Sequence, residues 1–314
     1  MSDMIPTQIS NPEPPEWREI ADGVCTFTLQ NWRAFHDLVL QEAMLSANLI
    51  WRGQRRDWML KPSLERSRVE DDPNQWRRIA AEQLYEFKIA VAGRRGANPR
   101  NLDGEEGTPE EDDEWWALGQ QNGLKTPLLD WTESPFAALF FAFIDEDILA
   151  EFENENEHFR YVYALDQSIL FFKGMELKDA KARAWEENPE PEPQWTTGSV
   201  RSAAIKKIAW EARRDERLRV PWIRVVRPHT DENVRLLSQG GLFTQSPPAR
   251  DIEGFIREHF KVETGNPPML RFKIGSEYRG QCLTALKRMA IHYRTLFPDL
   301  HGACQHVNMT LDTY

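Results

Sequence analysis

The sequence of 314 residues contains only three cysteines, and they are far apart. An odd number of scattered thiols, Cys25, Cys282 and Cys304, does not form a disulfide framework, so we expect a reducing, cytoplasmic environment. Cys304 lies between His301 and His306, but this spacing differs from that of structural zinc sites. The sequence therefore predicts neither disulfides nor a metal site.

Long apolar runs and the motifs of several common enzyme classes are also absent. No run of about 18 uncharged apolar residues occurs, which predicts that no helix spans a membrane. The first residues lack the basic-then-apolar pattern of an export signal. GxSxG, HExxH and GxGxxG do not occur, which argues against the enzyme classes that use them. The stretch Gly119–Thr126 only superficially resembles a phosphate-binding loop, because Leu124 separates Gly123 from Lys125.

Positive charge is in deficit, with 39 Lys and Arg against 50 Asp and Glu, a formal net charge of −11. An acidic surface repels phosphate backbones, which argues against nucleic-acid binding. The basic run from Arg201 to Arg219 is better explained as the solvated face of a helix.

Composition and local pattern predict the domain organisation. Residues 1–16 contain four prolines and little apolar content, which is typical of a flexible N-terminal tail. With 40% hydrophobic residues, the remainder can bury a large core. We expect a single α+β domain over residues 17–314, with acidic surface loops near 99–114 and 186–194.

Apolar periodicity predicts the main elements. A helix with one apolar face follows Asn31, and a second covers residues 75–92. Alternating or short apolar runs predict six strands, at residues 49–51, 160–165, 222–226, 234–237, 242–244 and 270–274. Because helices and strands do not alternate strictly, the fold class expected is α+β, with a mixed, mainly antiparallel sheet and flanking helices.

The segment from Asp130 to Phe143 is the most informative stretch. Ser134 followed by Pro135 is a typical helix start, and the residues that follow are apolar on all sides, so this helix is expected to be buried. Its positive N-terminal end would then lie close to Asp130 and Thr132. The segment is either part of a site or a rigid corner of the core.

Arg52 and Gly53 lie where the early strand is expected to end. An Arg next to Gly suits a phosphate or a carboxylate ligand, but it could equally form a buried pair with Asp130. Asp130 could be a general base, a ribose-binding acid or that structural partner. Its apolar sequence neighbours, Leu129 and Trp131, would raise its pKa if it were unpaired.

Three polar residues have both a functional and an ordinary interpretation. Helix capping explains Thr132 and Ser134 without a ligand. Gln239 precedes Gly240 and Gly241, where a ligand could approach closely, but a hairpin turn explains both glycines.

Four segments in order resemble the FRG domain, named for its Phe-Arg-Gly motif. They are IWRGQ at 50–54 with the following Leu60–Ser63 and Arg66, the stretch 123–142, RLLSQGGLF at 235–243, and LFPDLHG at 296–302. Together they cover about residues 30–310. The sequence departs from the family pattern at Trp51 (usually Phe), Gln121 (usually His) and Pro127 (usually Arg).

The order of these parts also resembles the layout of ADP-ribosyltransferases. That resemblance implies that Arg52 and Gly53 bind the phosphate or ribose of NAD, with NAD as substrate and no certain cofactor. It places Thr132 or Ser134 at the nicotinamide and Gln239 at the position of the catalytic glutamate. Asp130 would then orient the catalytic site, Asp130 or Glu133 could substitute for the glutamate that Gln239 does not supply, and Trp131 or Phe243 would stack on a ring.

Two hypotheses follow from the resemblances. The first is an ADP-ribosyltransferase-like domain that binds NAD or a related nucleotide, in a bacterial or phage setting an effector of defence or toxicity. The second is a non-catalytic module that binds a small molecule or a protein.

Overall fold

A computed structural model of the protein describes residues 18–67, 72–92, 109–145, 158–187, 222–228, 234–248, 250–260 and 266–312. The chain divides into two compact units, one of residues 1–167 and 224–314 and the other of residues 168–223. The tail predicted at 1–16, residues 99–108 of the first acidic loop and residues 188–194 of the second lie outside the described residues. The single domain predicted for 17–314 stays a prediction.

Eight strands form one sheet within the described part of the first unit. They are β1 (Arg18–Ala21), β2 (Val24–Leu29), β3 (Leu49–Gln54), β4 (Leu128–Thr132), β5 (Phe159–Asp166), β6 (Arg224–Val226), β7 (Gly241–Gln245) and β8 (Met269–Gly275). The order across the sheet is β1-β2-β8-β5-β3-β4-β7-β6. The pair β2–β8 is parallel and the other neighbours are antiparallel. The predicted α+β class, with a mixed and mainly antiparallel sheet, is confirmed.

Helices lie between most of the strands. They are α1 (Trp32–Val39), α2 (Glu42–Leu45), α3 (Ser63–Ser67), α4 (Pro73–Val91), α5 (Pro109–Gln121), α6 (Pro135–Phe143), α7 (Gln167–Glu187), α8 (Val234–Ser238), α9 (Ile252–His259), α10 (Arg279–Arg288), α11 (Tyr293–Leu296) and α12 (Leu300–Asp312). In the second unit the described residues are most of α7 and residues 222–223. Among the helices described, none has the length and apolar content needed to cross a membrane.

The buried helix α6 occupies the centre of the main core, as predicted. Its residues from Ala137 to Phe140 are at most 2% exposed, and the Ser134 hydroxyl caps the helix by accepting from Ala137 N at 3.2 Å. The helix lies so close to β3 that a Cβ atom on Gly53 would be 1.8 Å from the Ala138 carbonyl oxygen. Gly53 is therefore required by close packing between strand and helix.

Two expectations about local structure are wrong. Residues 234–237, predicted as a strand, begin α8; a short apolar run does not distinguish the two. Residues 109–114, predicted as part of an exposed acidic loop, begin α5, and Asp113 is buried. The core accepts this carboxylate because both of its oxygens accept hydrogen bonds from the Arg224 guanidinium.

Candidate functional site

A pocket of about 260 Å³ lies where α3, the end of α5 and the start of β4 meet. Its wall combines polar, charged and leucine side chains, contributed by Ser63, Arg66, Gln120, Gly123, Leu124, Lys125, Leu128, Leu129 and Asp130. Five of these nine residues are polar or charged and three are leucines, so the wall is mainly polar and suits a small polar ligand.

Backbone hydrogen bonds bring the pocket's parts together. The Leu64 amide of α3 donates to the Thr126 carbonyl at 3.1 Å, and the Thr126 amide donates to the Ser63 hydroxyl at 3.0 Å. Gln83 of α4 adds a third contact by donating to the Lys125 carbonyl at 2.8 Å. Because these contacts use main-chain atoms, α3 is held in register with the segment that leads into β4.

Asp130 lies at the rim of the pocket with its side chain 65% exposed. The Gln120 amide nitrogen donates to its Oδ1 at 2.6 Å, and the Gln120 amide oxygen accepts from the Thr126 hydroxyl. Asp130 is therefore exposed, and the prediction that its carboxylate is buried is wrong. Of its sequence neighbours, Leu129 lines the same pocket and Trp131 is buried.

Arg52 lies beside Asp130, and it does not line the pocket. Its Nη1 donates to the Asp130 carbonyl oxygen at 2.7 Å and is 3.8 Å from the carboxylate Oδ2. The side chain is 15% exposed, and Nε has no hydrogen-bond partner among the described residues. Desolvation lowers the pKa of the Arg52 guanidinium, and the charge of Asp130 partly opposes that effect. This geometry favours the structural pairing with Asp130 over direct capture of a phosphate.

Arg66 and Lys125 are the two cations that line the pocket, and both are exposed. Within the described parts of the chain, neither side chain makes a hydrogen bond or an ion pair. With Asp130 as the only acid of the lining, the pocket wall carries an excess of one positive charge. An anion would be attracted to it.

The family model of the FRG domain matches residues 47–149. The chain carries an FRG domain. All nine pocket-lining residues and Arg52 lie within the matched stretch, whereas the resembling segments at 235–243 and 296–302 lie outside it. Comparison with curated proteins and with solved structures finds no significant match.

Two departures from the FRG pattern lie next to the pocket. Gln121 ends α5 and is half-buried, and Pro127 is buried immediately before β4. Where the family usually has Arg, Pro127 supplies no charge. Arg66 and Lys125 therefore remain as the cations of this FRG pocket.

The two aromatic residues predicted to stack on a ligand belong to the core. Trp131 is 3% exposed, and its indole nitrogen donates to the Thr244 hydroxyl at 2.8 Å. Phe243 is buried in a cluster with Leu128 and Trp116. Neither ring presents a free face to the FRG pocket, so the stacking role does not fit this structure.

The predicted hydroxyl and amide residues also lie apart from the pocket lining. Thr132 donates to the Gln239 carbonyl at 2.5 Å and accepts from the Ser134 amide at 3.1 Å. The Gln239 side chain donates to the Leu296 carbonyl at 3.1 Å. These bonds connect the start of α6 with the turn before β7, so the ordinary interpretation of Thr132 and Ser134 as capping residues is favoured.

Of the predicted site residues, the structure brings Asp130 to the pocket and Arg52 beside it. Ser63, Arg66, Gln120 and Lys125 are pocket residues that the motif search did not assign to the site. The signal was present for two of them, since Ser63 and Arg66 belong to the FRG-like segment after the Arg-Gly pair. Their approach to Asp130 depends on tertiary contacts that no spacing rule encodes.

Proposed function

We propose that the FRG domain binds a small anionic ligand in the pocket between α3, α5 and β4. The observation that carries the proposal is the pair of exposed pocket cations, Arg66 and Lys125, which form no ion pair with the described residues of a protein with net charge −11. The Ser63 hydroxyl adds a neutral donor to the same wall. Guanidinium, ammonium and hydroxyl groups together are suited to a phosphate or carboxylate.

The size of the pocket limits what can enter it. A volume of about 260 Å³ is slightly below the roughly 300–1,000 Å³ of sites for drug-sized ligands. It suits a small phosphorylated or carboxylated molecule, or one end of a larger one. NAD or a related nucleotide remains within the proposal as a ligand that would enter by its phosphate end.

Binding without turnover is the form of the proposal that the geometry favours. Gln239, at the position where the transferase resemblance has its glutamate, carries no carboxylate, and its amide bonds to the Leu296 backbone. A carboxylate at that position would stabilise developing positive charge, so its absence argues against ADP-ribosyl transfer. The role in defence stays a prediction.

Calorimetric titration of the purified protein with inorganic phosphate, and separately with NAD, tests the proposal. We expect saturable binding of at least one of them, weakened about tenfold or more by Arg66→Ala or Lys125→Ala, because each removes a charge-assisted contact. Arg78→Ala is the control, since it removes another exposed cation, on α4, outside the pocket lining.

Two results would contradict the proposal. One is no detectable binding of either compound at millimolar concentration. The other is equal weakening by Arg78→Ala, which would show a diffuse charge effect. Release of nicotinamide from NAD, abolished by Asp130→Asn, would show that the domain is an enzyme and not a non-catalytic binding module.

A further inference from the structure

The carboxylate of Asp130 is held in one orientation by a chain of hydrogen bonds. The Leu128 amide donates to the Thr126 hydroxyl oxygen at 3.2 Å, that hydroxyl donates to the Gln120 amide oxygen, and the Gln120 amide nitrogen donates to Asp130 at 2.6 Å. The orientation of the Gln120 amide follows from its two partners, because a carboxylate accepts only. This series of hydrogen bonds begins at the backbone of β4 and ends at Asp130 of β4, so it holds the carboxylate rigidly.

Asp130 retains accepting capacity toward the pocket. A carboxylate has about four lone-pair sites, and Gln120 uses one of them at Oδ1. Arg52 does not use Oδ2, because its Nη1 is bonded to the Asp130 carbonyl oxygen and is 3.8 Å from Oδ2. The pocket therefore presents a carboxylate that is held in place and can still accept hydrogen bonds, in a lining that also contains two cations.

We infer that the ligand is a phosphorylated sugar, with its phosphate on Arg66 and Lys125 and a sugar hydroxyl donating to Asp130. This rests on the proposed function and adds the chemistry next to the anionic group. A donor is needed because Asp130 would repel a second anion. The donor is a hydroxyl, since Arg66 and Lys125 share the pocket lining with Asp130 and Arg52 lies beside it, and these positive charges disfavour an ammonium group.

The test compares inorganic phosphate with ribose 5-phosphate by calorimetry on the full chain. We expect wild-type protein to bind ribose 5-phosphate about fivefold or more tightly than phosphate, because the sugar adds a hydrogen bond to a charged acceptor. Asp130→Asn should remove most of that preference, because it removes the charged acceptor for the sugar hydroxyl. Glu82→Gln is the control, an exposed acid of α4 that pairs with Arg78.

The outcomes separate this inference from the proposed function. Equal affinity for the two compounds in the wild type, or a preference kept by Asp130→Asn, overturns the inference and leaves anion binding standing. Binding of neither compound overturns both. An unchanged unfolding midpoint for Asp130→Asn, expected of a 65%-exposed side chain, shows that the variant is folded.

A further arm identifies the source of the sugar phosphate. Adenosine 5′-monophosphate presents the same ribose phosphate with a base attached. Affinity equal to that of ribose 5-phosphate indicates a nucleotide ligand. Exclusion of the nucleotide indicates a free sugar phosphate, which the small volume favours.

Discussion

Arg52 and Arg66 both lie in the FRG domain, within reach of Asp130 and its pocket, but their surroundings are opposite. Arg52 is 15% exposed, desolvated, and bonded to the backbone of β4. Arg66 is exposed on α3, lines the pocket, and makes no side-chain hydrogen bond among the described residues. Both side chains carry a guanidinium group, so the difference comes from the environment that the fold provides.

The comparison shows why an Arg-Gly pair in a sequence is an ambiguous sign of a ligand. A buried guanidinium is costly unless it is paired, so the fold supplies a partner and the group is used for architecture. An exposed guanidinium at a concave surface keeps its donors for a ligand. The Arg-Gly motif identified the buried Arg52, and the structure adds the exposed Arg66.

The largest effect is expected at Gly53, the neighbour of Arg52. Gly53→Ala places a methyl group against the Ala138 carbonyl, and β3 and α6 must separate to accept it. We expect a loss of about 3 kcal/mol in the free energy of unfolding, measured by urea denaturation. Gly280→Ala in α10, where a Cβ meets no atom within 4 Å, is the control and should not destabilise the protein, because Ala favours a helix over Gly. Equal effects of the two variants would contradict the packing role of Gly53.

Arg52→Ala and Arg66→Ala test the comparison directly. Loss of the charge-assisted bond to the Asp130 carbonyl should cost about 2 kcal/mol for Arg52→Ala, whereas Arg66→Ala should change the free energy of unfolding by less than about 0.5 kcal/mol. Ligand affinity, measured on folded protein, should be weakened more by Arg66→Ala than by Arg52→Ala. If Arg66→Ala destabilises the protein as much as Arg52→Ala does, the division into a structural arginine and a ligand-binding arginine is wrong.

Glu65 sharpens the comparison, because it is the immediate neighbour of Arg66 on α3 yet is 8% exposed. Neither of its carboxyl oxygens has a hydrogen-bond partner in the described structure, and desolvation raises its pKa to about 7, with Lys61 opposing and Asp251 adding to the shift. A raised pKa means that the folded state binds the proton more tightly than the unfolded state.

Glu65 should therefore favour folding below about pH 4.5 and lose that contribution as the pH rises to about 7. Replacement by Gln removes this titration, so the unfolding free energy of Glu65→Gln relative to wild type should increase by about 1–2 kcal/mol from pH 4.5 to pH 8. Urea denaturation at a series of pH values measures it. A constant difference between the two proteins across that range would show that Glu65 is not desolvated.

Much of the fold could be predicted because local pattern is strong in particular elements. The alternation in β8, the apolar face of α1 with its Asn31 cap, and the all-apolar α6 are each decided by neighbours in the sequence. The pattern failed at α8, where four residues cannot distinguish a helix from a strand. It failed again at Asp113, whose burial depends on the distant Arg224.

The candidate site could be predicted only in part for the same reason. Asp130 is identified by its own segment, but Arg66 reaches the pocket through the bond between Leu64 and Thr126, far apart in the chain. Trp131 and Phe243 were predicted as ligand-stacking rings from the resemblance to ADP-ribosyltransferases. In the structure the core uses both of them.

The most direct test of the open pocket is amide and side-chain NMR of the full chain during titration with ribose 5-phosphate. The account predicts that shifts concentrate at Ser63, Arg66, Gln120, Lys125 and Asp130. Thr132, Ser134 and Gln239 should be almost unaffected. Shifts centred on those three residues instead, with none around α3, would contradict it.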